Sequence, residues 1–355
     1  MPPKQSLRIG RRYAHFMFRL GTLLGSLLIT AWMPVGQAQP ANAHSKETFT
    51  YKKVGDLEIK ADVYRPAGAG PHPAIVWIHG GGLIFGSRAT IPADENDLFL
   101  RAGYIVVSID YRLAPETKLP AILEDVEDAY SWVREKGPAL FQCDPERLAV
   151  VGQSGGAYLA LMSGARLHPS PKVVVSFYGY GDIAGPWLTQ PAIYWAGTAS
   201  QPRVTKEAAL QAISRNEISE ADVEPRVNFY IYCRQNGLWP KQVAGFDPLK
   251  EREKLIAYSP DRLVKPGYPP TLLLHGDRDT DVPFQLSEQM AAALQQQHIE
   301  HSLYRMRGFN HLFDVFPDGL PPAGKPIGLQ NPQAAAAFHA ALLFIAKHYD
   351  RTGRR

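Results

Sequence analysis

The sequence offers little that would hold a metal or build a disulfide scaffold. It contains 2 cysteines in 355 residues, Cys143 and Cys233, and neither has a histidine or another cysteine at ligand spacing. The two could pair in an oxidising compartment or stand as separate buried thiols, and sequence leaves both open. Long apolar runs are also missing. From Leu20 to Trp32 the residues are apolar or small and uncharged, which is too short to span a bilayer comfortably. A basic surplus is only nominal. The full chain has 38 basic and 34 acidic residues, and Lys4, Arg8, Arg11, Arg12 and Arg19 lie ahead of or at the edge of that apolar run. Without residues 1–38 the balance is 33 basic against 34 acidic. Nothing there attracts nucleic acid. Internal repeats and low-complexity tracts are absent too.

The basic segment, the short apolar run and the small residues of Gly36-Gln37-Ala38 and Ala41-Asn42-Ala43 form the three-part pattern of a secretory signal peptide. Residues 1–43 are therefore expected to be a leader, cleaved after about residue 38 or 43. The mature chain would be periplasmic or extracellular, with no stable membrane span.

Beyond the leader, Thr48 to Val54 and Leu57 to Tyr64 alternate around Gly55-Asp56, which predicts a β-hairpin. Continuous apolar runs at Ala74–Ile78, Tyr104–Ile109, Leu148–Val151, Val173–Tyr178 and Thr271–Leu274 predict strands buried on both faces of a mostly parallel sheet. His301–Met306 reads as the last strand. Helical spacing over Ile122–Lys136, with Gly137-Pro138 expected to stop it, and over Ala157–Leu167, Ser287–Gln297 and Gln333–His348 supplies the intervening helices. Alternating strands and helices predict an α/β class, a doubly wound mostly parallel sheet over residues 44–350. Residues 183–262 lack a clear strand and contain helical stretches at Lys206–Arg215 and Glu220–Gln235. They read as a helical cap insertion above the carboxyl ends of the strands, where such folds bind ligands. This segment carries Trp187, Tyr194, Trp195, Phe229, Tyr230, Tyr232 and Trp239. Most should form the cap's own core, with one or two facing a pocket.

Three segments carry chemistry. Gly152-Gln153-Ser154-Gly155-Gly156 sits between a strand and a helix, the G-x-S-x-G arrangement of a nucleophile elbow. Its sharp turn needs small flanking residues and lifts the Ser154 hydroxyl clear of the backbone. His79-Gly80-Gly81-Gly82 follows a strand, and its bare backbone can aim N–H groups at a developing oxyanion. Gly81 and Gly82, with Gly155 after the nucleophile, are the candidate donors. His275-Gly276-Asp277-Arg278-Asp279-Thr280-Asp281-Val282-Pro283 follows a strand, and Gly308-Phe309-Asn310-His311 follows the last one. Ser154, then an acid, then His311 is the chain order this chemistry requires on such a sheet.

The triple-glycine loop, the elbow and Asp110-Tyr111-Arg112-Leu113-Ala114-Pro115-Glu116 resemble the carboxylesterase and lipase family related to hormone-sensitive lipase. They also resemble bacterial esterases and deacetylases acting on plant cell-wall sugars. The resemblance covers residues 48–350 and implies an α/β-hydrolase. It also implies that Asp110, Arg112 and Glu116 brace the oxyanion loop. The 275–283 segment departs from the lipase-type family and resembles the H-G-x-x-D-x-x-V-P segment of other α/β-hydrolases, which points to Asp279, with Asp277 and Asp281 as rivals. This departure favours esterase, peptidase and formamidase branches.

The leading expectation is a serine hydrolase cleaving a carboxylic ester through an acyl-enzyme, with Ser154 as nucleophile, His311 as base and Asp279 orienting it. Such a reaction needs no metal or organic cofactor, and a small-molecule or acylated-carbohydrate ester is the expected partner. An exported amide hydrolase, aminopeptidase or aryl formamidase, would use the same residues on another bond. A catalytically inactive hydrolase-fold binding protein is the reading from another class, and retention of all the reactive residues argues against it.

Overall fold

The computed structural model describes residues 44–194, 202–315 and 328–349. The leader of residues 1–43 and Trp195 lie outside the described residues. The chain begins with an antiparallel pair, β1 (Ser45–Val54) and β2 (Leu57–Arg65), turning at Gly55 as the alternation predicts. Six further strands follow: β3 (His72–Ile78), β4 (Ile105–Ile109), β5 (Cys143–Gln153), β6 (Val173–Phe177), β7 (Thr271–Gly276) and β8 (His301–Met306). They form one eight-stranded sheet in the order β1-β2-β4-β3-β5-β6-β7-β8. All pairings from β4 to β8 are parallel, and β2 meets β4 antiparallel.

The central strands are rich in Val and Ile because both faces are covered; every residue of β4, β6 and β7 is buried. Each such side chain stabilises the fold by roughly 1.5–3 kcal/mol on burial. One face packs under α2 (Leu119–Phe141) and α3 (Gly155–Arg166), the other under α1 (Ala93–Arg101) and α9 (Pro332–Tyr349). Helix α2 buries Ile122, Val126, Ala129 and Val133 along one stripe.

Gly137-Pro138 does not end α2, contrary to the sequence expectation; the helix continues to Phe141. A proline removes only its own N–H, and here only the last turn lies beyond it. That turn is closed by Gln142, left-handed at φ 60°, whose N–H donates to the Gly137 carbonyl. Helix α1 was not legible as a separate element, since its single buried face is only Glu95, Phe99 and Leu100.

Between β6 and β7 the chain leaves the sheet. Among the described residues this segment holds α4 (Pro186–Thr189), α5 (Lys206–Leu210), α6 (Val223–Asn236) and α7 (Arg252–Ile256), and no strand. Helix α8 (Gln285–Gln296) then precedes β8. Among the described residues no helix is long and apolar enough to cross a membrane.

Candidate active site

Strand β5 ends at Gln153 and α3 begins at Gly155, so Ser154 occupies the whole turn, at φ 52° and ψ −118°. A non-glycine residue there is strained by about 1–3 kcal/mol. The conformation is held because Ser154 N–H donates to the Phe177 carbonyl at 2.9 Å. The elbow closes only around glycine. A Cβ on Gly156 would fall 2.1 Å from the Ile78 carbonyl oxygen, and one on Gly152 would fall 2.2 Å from the Gly156 carbonyl oxygen.

The end of β8 leads to His311, whose Nε2 lies 3.0 Å from Ser154 Oγ and whose Nδ1 lies 2.6 Å from Asp279 Oδ2. Asp279 Oδ1 accepts from the backbone N–H groups of Asp281 and Val282 at 2.9 and 2.8 Å, which fixes the plane of the carboxylate. Its Oδ2 also lies 3.1 Å from His275 Nε2. Burial works against the charge on Asp279, yet His311 and the hydrogen bonds from both imidazoles hold its carboxyl well below the ordinary range. An ionised Asp279 can only accept, so His311 carries its proton on Nδ1 and leaves Nε2 to accept from the Ser154 hydroxyl. For His311, burial lowers the pKa, but Asp279 outweighs it and the net shift is upward from 6.5.

The geometry sorts the three acids of the 275–283 segment. Asp277 points away, accepting from Arg305 Nε at 3.0 Å and Gly308 N–H at 2.7 Å. Asp281 accepts from the Tyr230 hydroxyl at 2.6 Å and comes no nearer to His311 Nε2 than 4.0 Å. Asp279 alone lies at Nδ1.

On the other side of Ser154 stands the triple-glycine loop. Gly155 and Gly82 abut, since a Cβ on Gly155 would lie 3.0 Å from Gly82 N. The N–H groups of Gly81, Gly82 and Gly155 have no partner among the described residues. Gly82 holds φ +59°, a left-handed conformation that frees its amide from the preceding strand direction. Behind the loop His79 stacks on Tyr111 at 4.3 Å and donates from Nδ1 to the Gly80 carbonyl at 2.8 Å. Burial pushes the His79 imidazole down to about 4, so it is neutral there.

The 110–116 segment supports this loop unevenly. Ala114 N–H donates to the Leu83 carbonyl at 2.8 Å. Asp110 accepts from the N–H and guanidinium of Arg88. Glu116 pairs at 2.8 and 2.7 Å with Arg226, which also donates to the carbonyls of Ile84 and Ala114. Arg112 does something else: it grips both oxygens of Asp125 in α2 and reaches Glu217. Its expected role under the loop therefore belongs to Arg226, which sequence reasoning did not single out.

Two residues of the β6–β7 segment roof the site. The Tyr230 ring lies against Gly82, 2.8 Å from where a Cβ would be, and Trp239 Nε1 donates to the Gly82 carbonyl at 3.1 Å. Phe229 and Trp239 are buried, Trp239 edge-on to Tyr180 at 6.3 Å, and Trp187 packs edge-on against the same Tyr180 at 4.8 Å. Tyr194 is partly exposed. Under this roof Ser154 is 8% exposed and His311 3%. The two cysteines are separate buried thiols.

A hydroxyl, an imidazole, an ionised carboxylate and amides without a partner among the described residues thus converge at the carboxyl end of a parallel sheet. That is the equipment for acyl transfer. Among known proteins, the family model BD-FAE matches residues 61–294. The non-reducing polyketide synthase adrD of Penicillium rubens is 28% identical over 330 residues, covering 80% of this chain and 13% of the synthase. The non-reducing polyketide synthase ausA of Aspergillus calidoustus is 29% identical over 331 residues, covering 79% and 13%. This chain therefore spans only about an eighth of the length of these curated relatives. An α/β hydrolase superfamily protein from Enterococcus faecalis superposes with a TM-score of 0.67 at 22% identity, covering 86% of this chain and 100% of that one. The propionate-bound thermophilic esterase of Thermogutta terrifontis gives 0.58 at 21% identity, covering 85% and 94%. Sheet order, helix layers and the family match agree: the chain is an α/β-hydrolase belonging to the BD-FAE family.

Proposed function

We propose that this chain is a serine hydrolase that cleaves carboxylic esters through an acyl-enzyme. Ser154 Oγ attacks the carbonyl carbon while His311 Nε2 takes its proton. The Asp279 carboxylate stabilises the imidazolium so formed and keeps its ring in place. The carbonyl oxygen, now negative, is received by the N–H groups of Gly81, Gly82 and Gly155, each donor being worth on the order of 3 kcal/mol in such sites. His311 passes the proton to the departing alkoxide, and the alcohol leaves. Water, deprotonated by the same imidazole, then attacks the acyl-enzyme and releases the acid.

The observation that carries this reading is the hydrogen-bonded chain Asp279–His311–Ser154, at 2.6 and 3.0 Å, ending beside amides without a partner among the described residues. We further propose that the β6–β7 segment is a cap that shapes the pocket for a small-molecule or acylated-carbohydrate ester, and that residues 1–43 direct export. The Thermogutta terrifontis esterase has been obtained phosphorylated by paraoxon, and the same chemistry supplies a test. A serine-directed phosphonate should label the mature protein, and Ser154→Ala should abolish both labelling and p-nitrophenyl acetate turnover. Turnover that persists in Ser154→Ala refutes the mechanism. Peptide and aryl formamide substrates assayed beside the ester decide the bond.

A further inference from the structure

Behind the reacting residues lies a second polar cluster that the chemistry above does not use. Glu95 of α1 and Asp314, three residues beyond His311, are both fully buried and both accept from one amide nitrogen. Between them sits the side chain of Gln153, the residue immediately before Ser154. Its Nε2 donates to Glu95 Oε1 and Oε2 at 3.2 and 3.1 Å and to Asp314 Oδ2 at 2.8 Å. The Tyr178 hydroxyl donates to both oxygens of Asp314 at 2.9 and 3.0 Å, and its ring packs edge-on against His311 at 4.7 Å. Four pieces of chain thus meet there: α1, the elbow, the end of β6 and the His311 loop.

The donors do not suffice for two charges. Gln153 Nε2 offers two hydrogens, Tyr178 one and the Asp314 backbone N–H one, and no lysine or arginine among the described residues pairs with either carboxyl. The other titratable groups facing the cluster are Asp94 on α1, Asp279 across from Tyr178, and His311, whose pKa burial lowers and the facing carboxylates, Asp279 first, raise. Two buried carboxylates bridged by one amide nitrogen, with no lysine or arginine beside them, cannot both ionise near neutrality. Burial, and then the facing Asp314, push Glu95 well up.

We propose that Glu95 and Asp314 share one proton at neutral pH and act as a positioning pair. The singly charged pair ties the Ser154 elbow to the His311 loop, and loss of the shared proton to hydroxide drives the carboxylates apart and disconnects His311 from Ser154. The inference rests on the proposed roles of Ser154 and His311. It makes Glu95 and Asp314 positioning residues that touch no substrate.

The test follows the rate of phosphonate labelling of Ser154 across pH, with circular dichroism confirming the fold at each point. In the parent protein the rate should rise as His311 loses its proton, then fall at alkaline pH by at least about tenfold per unit beyond the pair's second ionisation. Glu95→Gln cannot ionise and still donates to Asp314, so it should keep near-parent labelling at neutral pH and lose the alkaline fall. Glu95→Ala should label slowly at every pH. An alkaline fall in Glu95→Gln identical to the parent's, or a parent without one while folded, overturns the proposal. Infrared spectroscopy of the parent protein gives an answer even if the variants do not fold. At about pH 8, above Asp110 and Asp261, which burial pushes up to about 6, a protonated carboxyl band should remain and vanish together with labelling. Its absence also overturns the pair. Failure to label at any pH instead sinks the nucleophile assignment, and the infrared result then judges the pair alone.

Discussion

Asp279→Asn is the sharpest perturbation of the proposed chemistry, because the structure dictates how the asparagine must sit. The Oδ1 position receives the N–H groups of Asp281 and Val282 at 2.9 and 2.8 Å, so an amide will place its oxygen there. Its NH2 then takes the Oδ2 position and faces His311 Nδ1, from 2.6 Å. Two donors cannot meet, so the imidazole proton moves to Nε2 and points at Ser154, which leaves Oγ without a base. The same tautomer reversal in a serine triad lowers kcat by about four orders of magnitude, or about 5.5 kcal/mol of barrier. The amide also faces the His275 Nε2–H at the Oδ2 position and removes a buried carboxylate held well below its ordinary range, so some thermal stability should be lost as well. Asp279 also raises the His311 pKa above 6.5. Hydrolysis needs the neutral imidazole, so activity rises with pH through that raised value. Without the carboxylate the acidic limb shifts to lower pH. The assay is p-nitrophenyl acetate turnover against pH for the parent protein, Asp279→Asn and Asp281→Asn. The reasoning fails if Asp279→Asn keeps a tenth of parent activity, if its acidic limb stays in place, or if Asp281→Asn proves the more damaging change.

Three other outcomes are expected. Gly82→Ala forces a left-handed alanine and sets a methyl 2.8 Å from the Tyr230 ring, so kcat should fall on the order of 10²–10³-fold; adding Tyr230→Ala relieves the clash but not the backbone strain, and full recovery would contradict the assignment. Arg226→Ala leaves the buried Glu116 carboxylate without its pair and strips a donor from the Ile84 and Ala114 carbonyls; urea unfolding should register a loss of about 3–5 kcal/mol, and a loss under about 1 would show the pair to be incidental. Burial pushes the thiols of Cys143 and Cys233 up to about 12, so a thiol reagent such as DTNB should modify neither in the native protein and both after denaturation.

The residues that meet at the candidate site were legible in the sequence because each sits in a short local motif whose backbone geometry demands it. The elbow needs Gly152 and Gly156 around Ser154, and the loop over Gly80 to Gly82 needs bare amides. The strands were legible from their apolar runs for the same local reason. What stayed hidden depends on contacts between distant parts of the chain. Gln153 meets Glu95 and Asp314 across 58 and 161 residues. Helix α6 was legible as a helical stretch over Glu220–Gln235, but not which face it buries, since Arg226, Arg234 and Gln235 turn inward beside Phe229 and Cys233. It also starts later than its composition suggested: Glu224 precedes Pro225 and is extended at ψ 128°. Pro138 misled in the opposite sense, since a lost N–H near a helix end costs too little to stop it.

The excursion between β6 and β7 has a consequence for how this scaffold could change its diet. Its two roots are hydrogen-bonded neighbours in the sheet, with Phe177 opposite Leu274, and that pairing does not depend on what the intervening chain does. Lengthening a flexible excursion adds only about 0.6 kcal/mol for each doubling. A graft exchanged between Tyr178 and Thr271 would therefore leave Ser154, Asp279 and His311 at the ends of unaltered strands, while replacing Arg226, Tyr230 and Trp239, whose contacts prop the loop over Gly82 and Ile84. Any replacement excursion must supply those props again, so its freedom to vary ends where it touches the glycine loop.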